Sequence, residues 1–336
     1  MLVVDGNSRA DIERKLTRAI EVATEWAEGA KHSFSASKCK AIVLKRKPGL
    51  RSGPRVRIYG QPVECVQRLK YLGVTLEEGL KSWDTHIGET AEKAGRVFDR
   101  ILRSGRSGNT GLSMQVLRIY YMSIFLGIMS YAAPIWASSG LTAKAKKKLR
   151  STQRNVLLRV TKAYRTCSHA ALHVVAGLPP LDLEIARRVD VYHGLDRRSA
   201  LNRMLSRWQR EWALSTKGVR TREYFPSVRK RVGKKGLKFR SDHYVTQVVT
   251  GHGNFNSKLH QFGLVHSPLC VECGVQDSVE HTLYHCPLGR SDLLNELDRI
   301  RWSNLPKPVQ VKDEHFGAFV RQVLVAKETR LRNRLG

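Results

Sequence analysis

Three cysteines and a histidine follow one another as Cys270-x2-Cys273-x7-His281-x4-Cys286. A cysteine pair separated by two residues grips one ion from a tight turn, which Gly274 relieves, and His281 and Cys286 close the tetrahedron from a short helix or turn. Mixed thiolate and imidazole donors at four positions fit a closed structural Zn²⁺ site, because a hydrolytic metal keeps one position open. His285 is the main rival to His281, and His266 a weaker one. The fold of 269–287 is then expected to depend on the metal.

The quartet lies in a chain of 336 residues with 59 Lys and Arg against 29 Asp and Glu, a formal charge of +30. Solubility alone does not require such an imbalance, so the expected partner is a polyanion, nucleic acid. A membrane surface is the competing polyanion, and the run from Ile119 to Ala143 carries no charge. It reads as a buried core helix, since Ser123, Gly127, Ser130 and Pro134 interrupt it and its tyrosines are scattered rather than at the ends. No cleavable signal is recognised near Met1, so the protein is expected inside the cell, nuclear and cytoplasmic, and off the membrane. Cys39, Cys65 and Cys167 read as small half-buried apolar residues, because disulfides are rare in a reducing compartment.

A hydrophobic fraction of 41% over this length supports two or three subdomains. Leu2 to Val4 reads as a buried strand ending at Asp5-Gly6. A helix follows, with Ser8 as N-cap and Ile12, Leu16, Ile20, Ala23 and Trp26 as one apolar stripe. Ala41 to Leu44, Val56 to Ile58, Val63 to Val66 and Tyr71 to Leu76 read as strands, the middle two joined by a hairpin at Tyr59-Gly60-Gln61-Pro62. Beyond Trp83 the pattern turns helical, over 86–102, 112–129, 141–162, 170–175, 183–212 and 313–335. Nine Lys or Arg and no acid stand between Lys144 and Arg165, on a helix whose apolar face holds Val156, Leu157 and Val160. Ten Lys or Arg against Glu223 alone mark Lys217 to Arg240 as an exposed basic linker within reach of phosphate.

Catalytic signatures are missing. Two-metal polymerases and nucleases need two or three converging carboxylates. Asp5 stands alone after its strand, Glu77 and Glu78 sit beside Gly79, and Asp84 and His86 are too commonplace a pair. No Gly-rich phosphate loop, nucleophile elbow or His-Glu-x-x-His occurs.

Several separated stretches agree on one family. Tyr71-Leu72-Gly73-Val74, Tyr131 to Trp136, Gln153-Arg154, Tyr164 to Ser168, Ala171-Leu172, Gly177 to Pro180, Thr250-Gly251-His252-Gly253 and the quartet resemble the downstream half of LINE-type, non-LTR retrotransposon reverse transcriptases. The resemblance is particularly to the jockey-like and arthropod site-specific elements, and the order holds across almost the whole chain. In that family the strand matching Leu2 to Val4 follows a Tyr-x-Asp-Asp turn whose aspartates bind the catalytic Mg²⁺ ions. The resemblance therefore implies a fragment that starts past this turn and lacks the fingers, most of the palm and any upstream endonuclease.

The implied fold is α+β, mainly α. Residues 1–80 are a remnant of the palm, 81–215 a helical thumb and connection, 216–245 a basic linker, 246–300 the zinc-knuckle region and 301–336 a C-terminal helix. Lys38 resembles the palm lysine that protonates departing pyrophosphate, and Tyr71 and Gly73 lie in a loop resembling the primer grip. Lys147, Arg150, Arg154, Arg165, Arg231, Lys234 and Lys235 are the expected phosphate contacts. The implied role is to bind template RNA, primer and target DNA in target-primed reverse transcription, with the upstream polymerase half as a partner. RNA-directed DNA polymerase activity is not expected from this chain alone, because the metal-binding aspartates are lacking. A zinc-dependent RNA- or DNA-binding protein derived from a retroelement, and a decayed reading frame, are the alternatives.

Overall fold

The computed structural model describes residues 1–44, 53–80, 82–104, 112–232, 239, 241–290 and 296–335. The chain divides into two compact units, Met1–Thr90 and Ala91–Gly336.

In the first unit, helix α1 (Arg9–Gly29) starts where expected. Ser8 accepts a hydrogen bond from the Asp11 N–H at 3.2 Å, and Asp11 in the first turn complements the helix dipole. Its apolar stripe is only half covered, and Trp26 is 70% exposed. Leu2 to Val4 form no strand, and Leu2 and Val3 are exposed. Three residues make a strand only against a partner that satisfies their backbone, and none lies beside them among the described residues.

The expected sheet is instead three two-stranded ladders. Strand β1 (Lys40–Ala41) pairs in parallel with β4 (Glu64–Cys65), while β2 (Arg57–Ile58) and β3 (Gln61–Pro62) form the expected hairpin around Tyr59-Gly60. Tyr71 to Leu76 is not one buried strand. It is the bend of a second hairpin, β5 (Arg68–Tyr71) against β6 (Val74–Glu77). Leu72 and Gly73 have φ of 45° and 83°, the doubly positive backbone of a two-residue turn whose twist matches the strands it joins. Strand β6 is tied to α2 (Asp84–Ser104), in which the division between units falls. Thr75 N–H donates to His86 Nδ1 at 3.2 Å, and Thr75 Oγ1 donates to Glu89 at 2.6 Å.

The second unit is helical. The uncharged run starts in α3 (Met114–Tyr120) and passes through a π-helical turn at Tyr121–Phe125 into α4 (Leu126–Met129), where the helical stretch ends at Ser130. Pro134 then opens the short α5 (Ala133–Trp136), so the run is not a single helix. Among the described residues no helix is long and apolar enough to cross a membrane.

Helix α6 (Ala143–Thr161) turns Leu149, Gln153, Leu157 and Val160 inward and its lysines outward. Gln153 is buried as a hub. It donates to Tyr121 OH at 2.7 Å and Pro179 O at 2.8 Å, and accepts from Leu181 N–H at 2.8 Å. Helix α7 (His169–Ala176) ends on Gly177 at φ 64°, the left-handed C-cap that glycine takes most readily.

The expected long helix after Leu183 is two, α8 (Leu181–Tyr192) and α9 (Arg197–Leu214), broken by Gly194 at φ 96° and restarted by Asp196 as N-cap. The expected basic linker contains α10 (Val219–Tyr224) and α11 (Val228–Val232), whose Tyr224, Phe225 and Val228 are buried in the unit's core. Its apolar residues recur at spacings that two short helices turn inward, so charge density alone misjudged it.

The chain continues through α12 (His243–Thr250), α13 (Asn256–Gln261), α14 (Glu296–Asn304), α15 (Lys307–Gln310) and α16 (Glu314–Leu335). Trp208, Trp212, Phe255, Trp302, Phe316 and Phe319 belong to one continuous core.

Candidate metal centre

The ligand atoms of Cys270, Cys273, His281 and Cys286 all lie within 4.8 Å of one another. Cys270 Sγ and Cys286 Sγ are 3.6 Å apart. A tetrahedral zinc with Zn–S bonds of about 2.3 Å separates its sulfurs by about 3.8 Å, so the quartet is gathered to the size of one ion.

Local backbone bonds build this arrangement. Cys270 N–H donates to Val275 O at 2.7 Å and Gly274 N–H to Cys270 O at 2.9 Å, while Gly274 takes φ 69°. The loop thus folds Cys270 and Cys273 onto one side. His281 opens a π-helical turn, His281–His285, and Cys286 follows it, with the Cys286 N–H donating to His281 O at 2.8 Å. That wider turn brings a residue five positions on back over the one before it, which an α-turn does not. Ser278 starts the segment by accepting from the His281 N–H at 3.1 Å.

His281 Nε2 is buried with no hydrogen-bond partner among the described residues, which is the condition of a nitrogen left for a metal. His285 and His266 are exposed and lie outside the cluster. Burial pushes the Cys286 thiol up to about 12, helped by the neighbouring sulfurs, and pushes Cys273 up and His281 down from their ordinary values. A cation binding at neutral pH therefore displaces protons from the thiols.

The knuckle is held from behind by α16. Asp277, next to Ser278, is buried, and its carboxylate accepts from Lys327 Nζ, from Thr282 Oγ1 at 2.9 Å and from Asn256 N–H at 2.8 Å. Arg299 donates to Cys286 O at 3.0 Å, and Arg330 donates to Pro287 O. Leu288 and Leu331 pack against the cysteines. Asp277 and Lys327 were not singled out from the sequence. Lys327 does carry a signal, since it continues the spacing of Phe316, Val320, Val323 and Leu324 on the buried face, where a charge needs a partner.

The expected phosphate contacts divide into several groups. Lys147 and Arg165 are exposed. Tyr71 precedes and Gly73 lies in the exposed tip of the second hairpin, and Lys38 is exposed at the end of a turn, Ala36–Lys38, whose Ala36 is buried. Lys234 and Lys235 lie outside the described residues. Arg150 is bound in both directions, to Asp182 at 2.7 and 2.8 Å and to Glu211 at 3.1 Å. Arg154 donates to the carbonyls of Arg165 at 2.6 Å and Cys167 at 2.9 Å, closing the loop after α6.

Arg231 is a correction, because its side chain is buried rather than offered to phosphate. It donates to Val174 O at 3.0 Å and Val175 O at 2.8 Å, between the rings of Phe225 and Phe239. These carbonyls lie at the partly negative C-terminal end of α7, where Val174 O also accepts from the Gly177 N–H at 3.1 Å, and a buried cation there complements the helix dipole. Burial, with Arg118 adding to it, lowers Arg231 to about 9. A Cβ on Gly177 would stand 3.0 Å from this guanidinium, so the glycine of the Gly-Leu-Pro-Pro stretch also makes room.

A Pol polyprotein of the type-1 retrotransposable element R1 4 of Nasonia vitripennis is 30% identical to this chain over 324 residues, covering 85% of this chain and 81% of that protein. The 115 kDa protein of element R1DM of Drosophila melanogaster is 28% identical over 313 residues, 86% of this chain and 30% of that protein. The R1 Pol polyprotein of Bradysia coprophila is 29% identical over 313 residues, 85% of this chain and 30% of its own length. The chain thus spans less than a third of the latter two. No protein-family model matches the chain. No solved structure matches it significantly. These relatives define a class, the polyproteins of type-1, non-LTR retrotransposons. The chain belongs to the R1 family within it.

Proposed function

We propose that this chain is the C-terminal, nucleic-acid-gripping part of an R1-type RNA-directed DNA polymerase, with its last third organised around one structural Zn²⁺. The observation that carries the reading is the similarity to R1 polyproteins along 85% of the chain, and the gathering of Cys270, Cys273, His281 and Cys286 supports the metal. The cluster would hold the ion through three thiolates and His281 Nε2, leaving no position for a reacting water. Exposed cations such as Lys147 and Arg165 would contact template RNA, primer and target DNA through phosphate. The Mg²⁺ ions of the polymerase reaction belong to the upstream half, which would partner this part in the nucleus and cytoplasm.

The test is fluorescence anisotropy of a labelled RNA–DNA hybrid with a recessed 3′ end, titrated with the zinc-loaded 336-residue chain. The reading expects affinity largely independent of sequence that falls at least tenfold between about 50 and 200 mM salt. It also expects no primer extension in Mg²⁺ and nucleotides. Salt-insensitive binding, or none to any nucleic acid, would contradict the grip, and extension by this chain would contradict the division of labour.

A further inference from the structure

Helix α9 buries Ala200, Met204, Leu205, Trp208 and Trp212, and it presents Arg203, Arg207 and Arg210 to solvent at spacings of four and three. Those spacings stack side chains on one face about 6 Å apart. Arg207 and Arg210 have no side-chain partner among the described residues, and Arg203 has only Asp190 at 3.2 Å. The neighbouring helix extends the row. Arg229 of α11 donates to Asn202 Oδ1 at 2.9 Å and Ser206 Oγ at 3.1 Å, neutral partners that fix its guanidinium against α9 without cancelling its charge. Lys230 is exposed beside it.

We propose that this face of α9 and α11 is a track for a nucleic-acid sugar-phosphate backbone, separate from the zinc knuckle. The inference rests on the nucleic-acid reading above and says where the grip lies. Packing like charges on one surface costs stability unless a polyanion neutralises them. An arginine every 6 Å or so meets about every second phosphate of a duplex strand, whose rise is about 3.4 Å per residue. Guanidinium forks suit phosphate oxygens. The side chains between the cations are Asn202 and Ser206, not the apolar residues that a helix lying on lipid inserts. Fixed by Asn202 and Ser206, Arg229 is already ordered, so less freedom is lost when it meets a phosphate.

The experiment compares three forms of the full chain for salt-dependent binding to the labelled hybrid, after circular dichroism has confirmed equal helicity. They are the unaltered protein, Arg207→Gln/Arg210→Gln, and an equal charge loss on the other unit, Arg18→Gln/Lys31→Gln. The expected result is a plot of log affinity against log salt shallower by about 1.8 for the α9 variant, two contacts at about 0.9 each, with the control unchanged. Arg207→Lys/Arg210→Lys should restore most of the slope. Equal slopes in the α9 variant and the unaltered protein would overturn the track while leaving the general grip standing. Equal reductions in the α9 variant and the control would overturn it in favour of diffuse charge. If the unaltered chain fails to bind, the broader reading falls and the track with it. Loss of binding to anionic phosphatidylserine vesicles, with hybrid binding intact, would reassign the face to lipid.

Discussion

Lys327 Nζ lies 2.8 Å from both carboxylate oxygens of Asp277, with the two side chains only 4% and 2% exposed. The ammonium also donates to Asn254 O and Thr282 Oγ1 at 3.1 Å and sits over the Phe255 ring. One lysine therefore joins the last helix to the residues that lead into His281. The geometry satisfies both charges, which a buried pair needs to repay its desolvation.

Removing one partner strands the other charge. Lys327→Met is expected to cost about 3 kcal/mol, and adding Asp277→Asn should recover part of that loss, because a neutral amide tolerates the site better than an unpaired carboxylate. Chemical denaturation of the single and double variants measures both values. An unchanged midpoint in Lys327→Met would refute the pair's role.

Gly251 of the Thr-Gly-His-Gly stretch has φ 70°, and a Cβ there would stand 2.7 Å from Arg220 Cδ. Arg220 cannot easily move, since it donates to Val248 O and Glu280 at 2.7 Å each. Gly140 also has positive φ, 90°, but nothing lies within 4 Å of its Cβ position. Gly140→Ala should therefore cost only the left-handed strain of about 1 kcal/mol, and Gly251→Ala at least about 2. Equal losses in thermal unfolding would contradict the close packing of Arg220.

His169 and His173 stack with ring centroids 4.7 Å apart on α7. Burial lowers His169 to about 4, with Arg154 and Arg150 adding to it, and burial lowers His173 well below its ordinary value. The unfolded chain therefore binds protons below about pH 6.5 that the folded chain refuses, and stability falls as pH drops from 6.5 toward 4. Unfolding free energies from urea titrations should fall between pH 7 and pH 5 by about 1 kcal/mol per pH unit for each ring, and His169→Gln should reduce the dependence by its own share. A flat profile over that range would contradict buried neutral rings.

Residues that act through local spacing were legible in the sequence. The N-cap at Ser8, the hairpin at Tyr59-Gly60, the helix expected over 141–162 and the quartet each depend on neighbours within a few positions. The rivalry of His281 and His285 was not, because both share the segment and only the π-helical turn buries one and exposes the other. Arg231 looked like a surface cation because its carbonyl partners lie 56 and 57 positions away. The bend at Leu72-Gly73 was hidden by apolar neighbours on either side, which read as one strand until the positive φ of both residues divides them.

The metal centre is the central claim, and native mass spectrometry of the zinc-loaded chain tests it most directly. One zinc per chain is predicted, lost in Cys273→Ser and kept in His285→Ala, since His281 and not the exposed His285 gathers with the sulfurs. Zinc retained in Cys273→Ser, or lost in His285→Ala, would contradict the site as described.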